Sequence, residues 1–177
     1  QSDMAAGPGT GQRRKGGSMN RDTWAMGQTL RWHSSPWPAL RNSGDTVDAH
    51  QNRMIRDARL YFPRAGMELV DAIIGHDLPE CLSGDYSTPD KDSIPGLRAS
   101  LDAVDCLVLA YLGFDDIDDA MADRVKWLDV LDAYKWARLH EPRAMVSGGF
   151  PAARVWLDGQ AWALGIQGIG PILATLE

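Results

Sequence analysis

At 177 residues, with 44% hydrophobic and 24% charged residues, the chain has the composition of a globular protein with a single core. A net charge of -6 argues against a general nucleic-acid coat or a membrane-surface protein, and no run of about eighteen apolar residues is present to cross a membrane. No secretory leader is visible, and two cysteines, Cys81 and Cys106, are too few and too scattered for a disulfide framework, so a reducing, cytoplasmic home is expected.

Residues 1–18 hold five glycines and the basic cluster Arg13-Arg14-Lys15, which predicts a flexible arm ahead of one domain over 19–177. A phosphate or nucleic-acid role for that cluster is the alternative, but no Gly-Lys-Ser/Thr follows at the required spacing. Residues 24–30 read as a short helix, and Ser35-Pro36-Trp37-Pro38 cannot be regular helix. After a turn at 42–45, Asp45 or Thr46 is a candidate N-cap for a helix reaching Phe62, where Pro63 stops it. Val47, His50, Met54, Ala58 and Tyr61 make one stripe on that helix, with the histidine inside it. The next helix starts near Gly66, and its face of Leu69, Val70, Ile73 and Ile74 continues into His76 and Asp77.

Residues 83–95 are turn-rich and are expected to be a loop lying over a site. Residues 97–112 predict a long apolar helix with Gly113 as its C-terminal cap. The aspartates of 115–119 suit the start of another helix and lack the spacing and closing Glu of an EF-hand. That helix runs through Met121, Val125, Leu128, Leu131 and Trp136, with Asp129 leaning inward. A turn at 147–149 precedes a last helix, begun at Pro151, through Val155, Leu157, Trp162 and Leu164. With no strand pattern and no internal repeat, an all-α bundle is expected.

Two imidazoles and two carboxylates, His50, His76, Asp77 and Asp129, thus fall on inward faces of three helices. Such an N2O2 set suits one divalent ion, Zn, Co, Mn or Fe. A lone histidine on an apolar stripe is more often a hydrogen-bonded core residue, but burying four such groups together is costly without a cation.

The segment His76-Asp77-x-x-Glu80-x-x-x-Gly84-Asp85-x-x-Thr88-Pro89-x-Lys91 resembles the HD-domain phosphohydrolases, in particular the 5'-deoxynucleotidase branch and its small phage dATP and dNTP triphosphohydrolases. Arg31-Trp32-His33-Ser34, Thr46-Val47-Asp48-Ala49-His50 and Val125-Lys126-x-x-Asp129 are similar to the other motifs of that group, in the same order over residues 31–135. Two features depart from it: Ala49 stands where a Glu is common, and the interval from Arg31 to His50 is longer than usual.

The resemblance implies a compact HD-type bundle whose four ligands hold the ion. It implies hydrolysis of a 2'-deoxyribonucleotide, as a dNMP 5'-nucleotidase or a dNTP triphosphohydrolase such as a dATPase, with a metal-activated water as nucleophile. Glu80 would orient or deprotonate that water or protonate the leaving group, and Asp85 would assist the leaving group or contact the sugar. Arg31 and Lys91, with Arg41 in reserve, would meet phosphate, and Trp32 or Trp37 opposite Pro89 would hold the base. A homo-oligomer is implied, with a small-molecule nucleotide as the ligand and no nucleic-acid or membrane partner. Two alternatives stand beside this: an HD phosphodiesterase acting on another nucleotide, and a catalytically idle metal- or nucleotide-binding domain. The presence of Glu80, Asp85 and Lys91 counts against the last, because a structural site needs only its ligands.

Overall fold

The computed structural model describes residues 25–167 apart from 33 and 87, and apart from the side chains at 88–90. The arm expected over 1–18, Trp24, His33 and the Pro89 side chain lie outside these residues. The chain is all-α: among the described residues there is no strand, and a single antiparallel bridge joins Leu30 to Thr46. The helices are α1 (Pro38–Arg41), α2 (Val47–Tyr61), α3 (Met67–Gly75), α4 (Glu80–Ser83), α5 (Thr88–Ser93), α6 (Leu97–Leu112), α7 (Asp119–His140) and α8 (Phe150–Ala163). A 3-10 turn, Pro142–Val146, separates the last two.

Local chemistry sets these boundaries. Thr46 caps α2 by accepting the Ala49 backbone N–H at 3.2 Å, a contact of roughly 1 kcal/mol. Asp118 caps α7 through the Met121 N–H at 2.7 Å, and the charge suits the positive end of a 22-residue helix. Gly113 ends α6 at φ 82°, in the left-handed region that glycine enters without penalty. The stretch expected to be loop contains α5, whose Pro89 stands in the first turn, where a missing N–H costs nothing.

α7 is the central rod, packed against α2, α3 and α8. Met54, Ala58, Leu69, Ile73, Leu128, Leu131 and Leu157 surround the fully buried Trp127. The Trp127 indole N–H donates to the Leu157 carbonyl at 3.1 Å, and Tyr61 meets its ring edge-on at 5.1 Å. Gly75 closes α3 so tightly that a Cβ there would lie 3.1 Å from the Phe114 ring and 3.3 Å from Leu109. The glycine therefore lets α6 approach the chain just ahead of His76.

α6 differs from the other long helices. Its inner face packs on α4 and α5, yet Val108 is its only fully buried residue, and Leu107 and Tyr111 are 73% and 83% exposed.

Candidate metal centre

The α2 stripe carries His50 into the core at 0% exposure. After α3 the backbone keeps a helical conformation at His76 and then turns through residues 76–79, which turns Asp77 inward. Asp129, one turn ahead of Asp132 on α7, comes from the third side. One ligand atom from each of His50, His76, Asp77 and Asp129 lies within 4.8 Å of all the others, so this buried cluster can hold a metal ion. All four expected ligands are brought together.

Hydrogen bonding to acceptor-only partners sets the tautomers. His76 Nδ1 lies 2.7 Å from the Ile73 carbonyl and His50 Nδ1 lies 2.7 Å from Asp132 Oδ2, so each Nδ1 carries the proton. Both Nε2 lone pairs then point inward. They face carboxylate oxygens: His50 Nε2 is 3.3 Å from Asp77 Oδ2 and 3.6 Å from Asp129 Oδ1, and His76 Nε2 is 3.2 Å from Asp77 Oδ1. Lone pairs at that range repel unless a proton or cation lies between them. Both Nε2 atoms and Asp77 Oδ2 are buried with no hydrogen-bond partner, a costly arrangement that a bound cation would relieve. The donor set therefore fits a divalent ion.

The charge balance agrees. Asp45, Asp77, Asp129 and Asp132 surround the Arg31 guanidinium at 3.4 to 3.9 Å, and Arg53 pairs with Asp45 and Asp132. Four carboxylates against two guanidiniums leave this cluster negative, with Lys126 pairing Asp129 at 2.9 Å from the exposed side. Burial would raise the Asp129 carboxyl, but Lys126, His50 and Arg31 hold it at about 2. Asp77 is likewise held below the usual carboxylate range by His76, His50 and Arg31 against the effect of its burial. The His50 imidazole is raised: burial and Arg31 oppose its charge, but Asp132 and Asp77 outweigh them.

Glu80 opens α4, one turn beyond Asp77, and its Oε2 is buried without a partner. Burial and then the Asp77 and Asp85 carboxylates push it up to about 9, so it keeps a proton at neutral pH while no cation is near. Lys91 on α5 lies close enough to pull Glu80 the other way, and it does the same to Asp105 on α6. Asp85 Oδ2 accepts the Trp32 backbone N–H at 2.8 Å, and the Ser34 hydroxyl donates to the Asp85 carbonyl at 3.4 Å. These bonds draw the Arg31-Trp32 segment onto the chain after α4.

Trp32 has φ 66°, the one described non-glycine residue in the left-handed region. Its indole N–H donates to Asp45 Oδ2 at 3.1 Å. Trp37 lies elsewhere, 5.9 Å from the Arg143 guanidinium, which pairs with Glu141 beyond the end of α7. Glu141 follows Asp129 by three turns, roughly 18 Å at helical rise. Of the two tryptophans, Trp32 is the one joined to the ligand cluster. Arg41, in the last turn of α1, is exposed.

Sequence reading missed three residues of this site: Asp132, Arg53 and Asp45. Asp132 and Arg53 each stand three positions after a ligand, Asp129 and His50, on the same helix face. That spacing was the available signal. Comparison of the chain with family models, with curated proteins and with solved structures finds no match.

Proposed function

We propose that the chain is a metal-dependent phosphohydrolase acting on 2'-deoxyribonucleotides, as a dNMP 5'-nucleotidase or a dNTP triphosphohydrolase. The observation that carries this reading is the set of buried, unpartnered donors from His50, His76 and Asp77 beside Asp129, with the unpartnered Glu80 carboxyl close by. The resemblance of the His76–Lys91 segment to HD-domain enzymes supports the same chemistry. A divalent ion, Zn, Co, Mn or Fe, when bound by these four residues polarises a phosphoryl oxygen and makes water a nucleophile at neutral pH.

The protein's own groups divide the remaining work. Arg31 Nε and NH1 are buried donors without hydrogen-bond partners, and a phosphate entering beside the ligands would accept from them in the planar geometry that guanidinium favours. Lys91 adds a point charge near Glu80. Glu80, holding a proton, is suited to deliver it to a departing oxygen, or to accept one once a cation lowers its pKa. Asp85 holds the Trp32 backbone, and the Trp32 ring forms the sugar or base wall.

A homo-oligomer completes this reading. The outer face of α6 presents Ala103, Cys106, Leu107, Ala110 and Tyr111 with no charge among them. An exposed apolar face on a helix already packed along its other side is a surface that a second copy of the chain would bury.

The test measures release of phosphate and of inorganic triphosphate from dNMPs, dNTPs and ribonucleotides with Mn2+, Co2+ or Zn2+. Turnover of a deoxynucleotide, abolished together with ion binding in Asp77→Ala, is the expected result. Glu80→Gln is expected to keep ion binding and slow the reaction by about 10²–10⁴-fold. Thermal stabilisation by the ion with no turnover of any nucleotide would instead establish the idle-domain alternative.

A further inference from the structure

Behind His50, four residues form a continuous line of short polar contacts. His50 Nδ1 donates to Asp132 Oδ2 at 2.7 Å. Asp132 is 2% exposed and is gripped by Arg53, whose Nε and one terminal nitrogen lie 2.7 and 2.9 Å from its two oxygens. The same terminal nitrogen reaches both oxygens of Asp45, which is 1% exposed, at 2.8 and 3.0 Å. Asp45 then accepts the Trp32 indole N–H. Arg53 is held from its other side by the Trp136 ring, 4.1 Å from the guanidinium.

We infer that Asp132 and Arg53 are positioning residues for the cation at His50, and that Asp45 extends the same chain of contacts to Trp32, so that the aromatic wall and the metal ligand are held as one unit. This inference rests on the metal-centre reading above. A carboxylate on the far nitrogen of a ligating imidazole fixes its tautomer and rotation and makes it a stronger donor. Asp132 does so only while its own rotamer is held, and the two-point contact from Arg53 holds it. Asp45 and Asp132 share one terminal nitrogen of the Arg53 guanidinium, so moving either carboxylate disturbs the other's contact. Trp32 is kept in a strained backbone conformation by Asp85 at its amide and Asp45 at its ring, and Asp45 also binds the Arg53 that grips Asp132. A substrate pressing on the indole would therefore push on the support of His50.

The experiment is titration of the full chain with Co2+, read by calorimetry and by the visible absorption bands of the bound ion, with circular dichroism to confirm folding. Asp132→Asn keeps shape and one acceptor, and Arg53→Gln removes the two-point grip. Each is expected to weaken Co2+ binding about 10–100-fold and to alter the bands. Trp32→Phe keeps an aromatic side chain but removes the N–H together with the five-membered ring, and it is expected to weaken Co2+ binding about twofold to fivefold, one hydrogen bond to a carboxylate transmitted in part. Folded Asp132→Asn and Arg53→Gln proteins with wild-type affinity and bands would overturn the inference. An unchanged affinity in Trp32→Phe would overturn its extension through Asp45. Failure of the wild-type chain to take up Co2+ would overturn the metal centre itself, a different result from either.

Discussion

The two walls of the candidate site are built differently. On the α2–α7 side, His50, Asp45 and Asp132 are essentially without solvent exposure, and Asp132 and Asp45 share Arg53 at 2.7 to 3.0 Å. On the α4–α6 side, Glu80 has an unpartnered oxygen, Leu82 is 72% exposed, and the helix behind it has a single buried residue, Val108. The ligand-bearing wall is fixed by desolvated charge pairs set against the main core. The wall carrying Glu80 and Lys91 is lightly packed, as elements that must admit and release a ligand are. Precision and access are assigned to opposite sides of the ligand cluster.

Core truncation tests that contrast most strongly. Leu131 lies at 0% exposure on α7, in the same core cluster as Trp127 and next to Asp132 in the chain. Leu131→Ala is expected to cost about 2–5 kcal/mol, the transfer loss plus a cavity that the surrounding helices only partly close. Chemical denaturation of the metal-free protein checks it. A loss below about 1 kcal/mol would mean that the α2–α7 wall is less rigid than its contacts imply.

Next in size is the competition between protons and metal at His50. Its folded-state value is raised above the ordinary 6.5, so in the metal-free protein the charged imidazole stabilises the fold fully below that value. This contribution is lost as pH climbs through the raised value. A cation requires the uncharged Nε2, so its binding must expel that proton. Metal affinity is accordingly expected to increase with pH from the ordinary histidine range upward, by at most about tenfold per unit, with proton release seen as a buffer-dependent heat of binding. A pH-independent affinity over that range would remove His50 from the ligand set.

How much of this was legible in the sequence depended on distance along the chain. His50 and Asp129 interrupt apolar stripes on α2 and α7, and the α3 stripe runs on into His76 and Asp77 in the turn that follows, so local periodicity found all four. The contact between His50 and Asp132 spans 82 positions, and the single local sign of it is that Asp132 stands one turn after Asp129. Asp45 was read as a possible cap, but its carboxylate is committed to Arg53 and Trp32, and Thr46 caps α2 instead. The short α5 was hidden in a run of turn-forming residues, because a single turn of helix has no period to detect. α6 reads as apolar along its length, and periodicity does not distinguish burial within one chain from burial between two.

That ambiguity sets the last and smallest effect on the protomer. Leu107 lies 73% exposed at the centre of the uncharged α6 face, so Leu107→Glu removes no intramolecular packing of consequence and should change the protomer's unfolding free energy by about ±0.5 kcal/mol or less. In an assembly joined through this face, the same change places carboxylates against apolar surface on both copies, and desolvating them is far more costly than the contact they replace. Light scattering should therefore show a mass that falls to that of one chain in Leu107→Glu, and a wild-type unfolding midpoint that rises with concentration where the variant's does not. If the variant kept the wild-type mass, α6 would not be the joining surface. If it lost several kcal/mol as a monomer, the lightly packed wall would be a second core, and the contrast between the two sides of the ligand cluster would fail.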